Sequence, residues 1–295
     1  MMGVGFSSFS NKSSGFQGYF QQEPEERIAN GAFLIILFLT TLLGNSTILI
    51  TIWKTSSLHS AANILLTNLA VSDLAVGLLL GPFSMVNILI TVKYTVHVFL
   101  LYNIVGAFLS VATFITVTAI GIERLLALRL HLRYHELVTP FRVIVVVIFI
   151  WVLSAVIACS CLWDSNVLYA VLSASFISLL VGNFVVYVKI YSVVRRHQRQ
   201  IQQQQNQQRN DIFRVSRFKK TALNTFFVCI LLFVCYSPYV FVINMAFAGL
   251  NFAPSVYFTV TTLIYLNSCL NPVLYCWRDR EIRAAVKKLL FRRWF

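Results

Sequence analysis

Long apolar runs, broken by short polar or basic clusters, set the pattern of this chain. The runs cover roughly residues 32–53, 61–90, 97–128, 142–163, 167–189, 219–248 and 255–277. A helix that crosses a bilayer needs about 20 mostly apolar residues, and each run supplies them. Between Arg142 and Lys189 the only charge is Asp164. That stretch is too long for one span and fits two, with the break at Trp163-Asp164-Ser165-Asn166. The last segment carries Ile282, Val286, Leu289 and Leu290 among basic residues, the pattern of an amphipathic helix lying on a membrane surface. The pattern therefore predicts an all-α membrane protein. It is read as an N-terminal tail (1–31), a bundle of seven transmembrane helices (32–277) and a C-terminal amphipathic surface helix (278–295). No internal repeat is visible.

Composition removes the soluble alternatives. Hydrophobic residues make up 58% of the chain and charged ones 12%, where soluble chains carry roughly 25% charged. Mean hydropathy is +0.75. A soluble fold this apolar would expose large aggregating patches, and disorder needs the opposite balance. The first twenty residues have no continuous apolar core, so the first long run is expected to act as both signal and anchor. The six cysteines lie in or beside apolar runs, without zinc or disulfide-framework spacing.

The formal net charge is +14. Its placement turns the reading away from nucleic acid and toward membrane lipids. With the N-terminus outside, every Lys and Arg except Lys12, Arg27 and Lys93 falls on the inner side. Positive residues gather on the cytoplasmic face, where the anionic leaflet attracts them. The expected location is the plasma membrane, multi-pass, with an extracellular N-terminus and a cytoplasmic C-terminus. Asn11-Lys12-Ser13 in the outer tail then matches a glycosylation acceptor at Asn11. Asn45-Ser46-Thr47 also matches, but it lies inside the first span and should stay unmodified. Residues 201–208 (IQQQQNQQ) read as a polar linker between the fifth and sixth spans.

Asp73, in the second run, is the one charge deep in a span. Such a charge is costly and marks a candidate site. Polar residues at matching depth are Asn45, Thr113, Asn267, Ser268 and Asn271. They offer hard oxygen ligands for a small cation, or a hydrogen-bonded clamp between helices. Glu123-Arg124 marks the inner end of the third run. Pro272 and Pro238 each remove a helical hydrogen bond, so the seventh and sixth helices can bend and take two packings. There is no His-rich metal cluster and no acid–base pair at membrane depth, so an enzyme is not expected. A secondary transporter or channel is the alternative, although one acid without repeats supports it thinly.

In order and spacing the chain resembles a rhodopsin-like (class A) G-protein-coupled receptor. The residues that carry the resemblance are Gly44-Asn45, Leu69-Ala70-Val71-Ser72-Asp73-Leu74, Glu123-Arg124-Leu125, Trp151 and Tyr187. Cys235-Tyr236-Ser237-Pro238 and Asn267-Ser268-Cys269-Leu270-Asn271-Pro272-Val273-Leu274-Tyr275 complete the set. The resemblance implies a receptor that binds an extracellular ligand and activates heterotrimeric G proteins as its sixth helix swings outward. It assigns Asp73, with Asn267, Ser268, Asn271 and Thr113, to a sodium-binding core. It assigns Arg124 to G-protein admission, supported through water by Tyr187 and Tyr275, and Leu132 to an apolar plug. Tyr236 takes the place of the family's tryptophan switch.

The departures are informative. Leu125 replaces the tyrosine after the arginine, Phe99 stands where a bridging cysteine is usual, and Leu179 replaces a proline. The second outer loop is very short. This combination resembles the melanocortin, sphingosine-phosphate and cannabinoid branch, and the seventh helix resembles adenosine receptors. The family's ligand pocket falls on Phe83, Gly106, Ala107, Ser110, Tyr236, Tyr239, Ile243, Tyr257, Thr261 and Tyr265. That set is apolar and aromatic, with hydroxyls and no charge, so it suits a neutral or lipid-like ligand. Gly106 stands where amine receptors carry an aspartate, and Tyr265 where retinal's lysine would sit. A peptide remains open through Glu23, Glu25, Glu26 and Asp164. The inner end of the sixth run, residues 214–220, holds no acid to restrain Arg124, so raised ligand-independent signalling is expected.

Overall fold

The computed structural model describes residues 24–90, 96–130, 133–159, 165–203, 227–228, 230–245, 248, 250 and 252–291. Helix α1 spans Pro24–Lys54. It starts before the apolar run because Pro24 presets the first turn and Glu25 and Glu26 face the positive helix end. Helix α2 comprises Ala61–Ala75, one π-helical turn at Val76–Leu80 and Gly81–Ile90. Its first turn is capped by Ser60, whose hydroxyl accepts from the Asn63 N–H. Helix α3 is Val96–Leu130, α4 is Pro140–Cys159 and α5 is Ser165–Gln203. Helix α6 is described over Ile230–Met245, α7 is Pro254–Arg278 and α8 is Arg280–Phe291.

Five of these contain segments long and apolar enough to cross a membrane: Ile28–Lys54, Ala61–Val86, Leu100–Leu130, Pro140–Cys159 and Ser173–Arg196. Helix α6 adds a shorter apolar segment. Helix α7 is long enough but more polar, because Asn267, Ser268 and Asn271 turn inward, each 2% exposed or less. The bundle supplies the partners that lipid cannot.

Helix α3 runs through the middle, against α2, α4 and α5. Helices α1, α2 and α7 form the other side. The main apolar core joins Leu69 of α2, Phe114 and Val117 of α3, Phe176 of α5, Leu232 and Tyr236 of α6, and Tyr275 of α7. The lipid-facing side shows on α4, where Phe141, Ile148, Phe149, Val152 and Val156 are all exposed.

Two local features differ from the simple apolar-run reading. The π turn in α2 has a cause in Pro82, which cannot donate to the carbonyl four residues back and crowds it. The Gly81 N–H reaches instead to Val76, five residues back. The helical path of α5 runs past its apolar run into the polar linker, as far as Gln203. Helix α8 is amphipathic as expected, with Ile282 1% exposed and Val286 9% against the bundle, and Leu290 54% exposed. Asp279 separates α7 from α8. Its carboxylate accepts from the Glu281 N–H at 2.8 Å and the Ile282 N–H at 3.1 Å.

Candidate functional site

Asp73 lies fully buried at the centre of the bundle. Its Oδ2 accepts from Asn271 Nδ2 at 2.8 Å, and the Ser268 side chain also hydrogen-bonds its carboxylate. Pro272 has no N–H, which leaves the carbonyl four residues back, that of Ser268, without its helical donor. Asn45 supplies one: its Nδ2 donates to Ser268 O at 3.2 Å and to Thr41 O at 2.9 Å. Thus α1, α2 and α7 are clamped together at the residues the sequence singled out.

The close approach of α1 and α7 depends on Gly44. A Cβ there would stand 3.0 and 3.1 Å from the Pro272 ring. Thr113 joins the cluster indirectly, with its hydroxyl 3.3 Å from that of Ser72, the neighbour of Asp73.

Several buried polar atoms of this cluster have no hydrogen-bond partner. They are Asp73 Oδ1, the Oδ1 atoms of Asn45, Asn267 and Asn271, Asn267 Nδ2 and the Tyr275 hydroxyl. Buried polar groups are normally satisfied. The four Oδ1 atoms, one of them on a carboxylate, form a donor set that suits a small hard cation or water.

The second centre sits toward the C-terminal end of α3. Arg124 Nε lies 3.2 Å from Glu123 Oε2, while the Tyr134 hydroxyl donates to Glu123 Oε1. Tyr134 opens a one-turn helix, Tyr134–Leu137, between α3 and α4. Burial first, and then the adjacent Glu123 carboxylate, hold the Tyr134 hydroxyl well above the usual tyrosine range. The arginine is therefore held beside an acid whose other oxygen is tied to the loop. Leu132 lies outside the described residues, as do Asn11, Glu23 and Asp164.

The pocket residues do not form one patch. Tyr236 lies deep, edge-on to Phe114 at 4.6 Å and within 5.6 Å of Phe176, and it bonds the Ser110 hydroxyl. Ile243 and Tyr257 pack together between α6 and α7, with Tyr239 against them. Ala107 is buried, and Thr261 is half-buried. At Gly106 a Cβ would meet Leu80 at 3.9 Å, an ordinary contact, so this position of α3 has room for a side chain. Tyr265 joins another corner, with Phe38 edge-on at 5.1 Å. Phe83 stacks on Tyr102 at 4.4 Å, in the same part of the bundle.

Pro238 and Tyr187 are half-buried on α6 and α5. Tyr275 is buried in the core.

Several structural partners carried no single-residue signal. Asn68 accepts from Trp151 Nε1 at 2.8 Å and donates to the Thr116 hydroxyl at 2.8 Å, joining α2, α4 and α3. Asn183 donates to the Thr118 hydroxyl at 2.8 Å, joining α5 to α3. A polar residue inside an apolar run was the available signal in each case. Only the fold says which neighbour it meets.

A helical membrane bundle with a clamped central carboxylate and a restrained arginine at one rim has the build of a seven-helix receptor. The pattern of the 7 transmembrane receptor (rhodopsin family) matches residues 44–166 and 156–275, and the chain belongs to that family. It is a G-protein-coupled receptor of the plasma membrane, multi-pass, and not an enzyme. This membership gives no support to a transporter or channel.

Among curated relatives, the histamine H2 receptor of Cavia porcellus is 27% identical over 289 residues, covering 89% of this chain and 79% of that protein. The histamine H2 receptor of Homo sapiens is 25% identical over 284 residues, covering 87% and 77%. The adenosine receptor A2b of Gallus gallus is 26% identical over 298 residues, covering 87% and 86%. The likeness to an adenosine receptor agrees with the reading of the seventh helix. The histamine receptors lie outside the branches that the sequence resembled.

Proposed function

We propose that this receptor responds to a neutral or lipid-like small molecule and passes the signal to a heterotrimeric G protein at the rim around Arg124. The observation that carries the reading is Gly106. It has no side chain, and none of the other pocket residues named above carries a charge. A protonated amine such as histamine would find no counter-ion there and would lose its hydration without replacement. The likeness to histamine H2 receptors thus extends to the scaffold and not to the ligand. The placement of the basic residues supports an N-terminus facing out and a C-terminus facing in.

The orphaned oxygens of Asp73, Asn45, Asn267 and Asn271 support a sodium ion as an allosteric ligand of the resting state. These residues would hold it, and the ion would supply a compensating positive charge. Leu132, Tyr187 and Tyr275 are assigned to the coupling face, and Asn11 to glycosylation.

Nucleotide exchange on purified heterotrimeric G proteins, with the receptor in nanodiscs, tests the coupling. The expected result is faster exchange with receptor than without it. Histamine added to the same assay should leave the rate unchanged. A histamine response at micromolar concentration would sink the neutral-ligand reading.

A further inference from the structure

Near the outer ends of α2, α3 and α7, three hydroxyls meet. Ser84 Oγ lies 2.7 Å from the Tyr265 hydroxyl and 3.2 Å from that of Tyr102, and the two tyrosine hydroxyls touch each other at 2.5 Å. Each hydroxyl has one proton to donate and can accept. Three protons and three contacts close a ring in which every proton is used once. Tyr265 is 3% exposed and Ser84 9%, whereas Tyr102 is half-buried. The aromatic bodies are held by Phe83 stacked on Tyr102 and Phe38 against Tyr265. Gly106 lies one turn along α3 from Tyr102, so the position without a side chain stands beside the most accessible member of the ring.

We infer that the ring of Ser84, Tyr102 and Tyr265 is the polar subsite of the ligand pocket, and that it takes a neutral head group able both to donate and to accept, such as a hydroxyl or a primary amide. This rests on the receptor reading above. Cutting one bond of such a ring exposes one O–H donor and one acceptor oxygen together. A hydroxyl or amide inserted at the cut satisfies both. An ammonium brings only donors and leaves the ring's O–H unpaired. A carboxylate brings only acceptors and leaves the oxygen unpaired. A buried group left unpaired is costly, so the ring selects against both charges without containing one. The ring also ties α7 to α2 and α3 while Arg124 is still paired with Glu123. It belongs to the restrained arrangement, and opening it loosens that arrangement.

The test uses the full chain in nanodiscs with four probes of equal chain length: octan-1-ol, octanamide, octylammonium and octanoate. Octanol and octanamide should raise the melting temperature more than the two ions do. Tyr265→Phe and the smaller change Ser84→Ala should both abolish that ranking. Effects of the probes on the bilayer are common to all forms and cancel in the comparison. Without any probe, Tyr265→Phe should raise basal nucleotide exchange about two- to tenfold, the range that loss of one ordinary hydrogen bond gives. The same ranking in native and variant receptors, or octylammonium equal to octanamide, overturns the inference. Head-group discrimination with no G-protein exchange in any form would count against the coupling and leave the subsite standing. Exchange without discrimination would count against the subsite alone.

Discussion

Gly44 illustrates how one absent side chain sets a helix contact. Its hydrogen lies where a methyl would press on the Pro272 ring at 3.0 Å. Backbone atoms carry both partners, so neither can swing aside. Gly44→Ala should therefore destabilise the receptor by about 1–3 kcal/mol, as overpacking does. A lowered melting temperature with surface delivery reduced checks this, and an unchanged melting temperature would refute it.

Tyr134 works through a hydrogen bond instead. Its hydroxyl donates to the same carboxylate that holds Arg124. Tyr134→Phe leaves the ring and removes the donor, so Glu123 is held less firmly and basal exchange should rise. The Tyr134 hydroxyl titrates above the usual range. A raised pKa means that the protonated, donating form is the one folding favours. Its contribution is complete below the unfolded value of about 10 and fades only as pH rises through the folded one. The ratio of variant to native exchange should thus be flat between about pH 6 and 9. A ratio that falls steeply across that window would mean that some other group governs the restraint.

At the scale of elements, α7 shows what a pattern can and cannot tell. Asn267, Asn271 and Tyr275 recur every four residues, so they share one helix face. That much is legible from spacing, as is the freed carbonyl before Pro272. That Asn45 donates to this Ser268 carbonyl was not legible, because the pairing joins residues far apart in the chain. The π turn in α2 was also hidden. Pro82 announces a disturbance but not its form, which depends on α1 as well: a Cβ at Gly81 would stand 2.9 Å from the Phe38 ring.

The same element carries the sodium prediction. In buffer with sodium, the native receptor should melt several degrees above its value in N-methylglucamine, by preferential binding to the resting state. Asp73→Asn removes the charge but keeps the shape and the Asn271 contact. It should erase the difference. Equal melting in both salts for the native protein would leave the cluster as a hydrogen-bonded clamp alone.

For the whole molecule, topology and charge balance decide the resting activity. Seven apolar runs and the placement of basic residues were readable because bilayer thickness and surface charge act on every residue alike. The pocket was less readable. Its expected members divide among the deep aromatic cluster at Tyr236, the α6–α7 contact at Ile243 and Tyr257, and the hydroxyl ring at Tyr265. Helix crossing and side-chain rotation make that division, and no local pattern encodes them.

The balance at the inner rim follows from sequence and structure together. Glu123 lies on Arg124's own helix, and the ion pair between them joins neighbours on α3. It does not bind α3 to α6, and residues 214–220 offer no acid that could. An outward swing of α6 therefore breaks no ion pair with Arg124 through that segment. The free-energy gap between restrained and coupling states should be correspondingly small. Cells expressing the receptor should show second-messenger levels above mock-transfected cells, with no ligand added and with surface expression confirmed. Replacing Lys219 by Glu places an acid in the basic segment ahead of α6 and should lower that level. If all G-protein classes are sampled and the native level equals the mock level, the restraint on Arg124 must come from contacts other than an α6 acid.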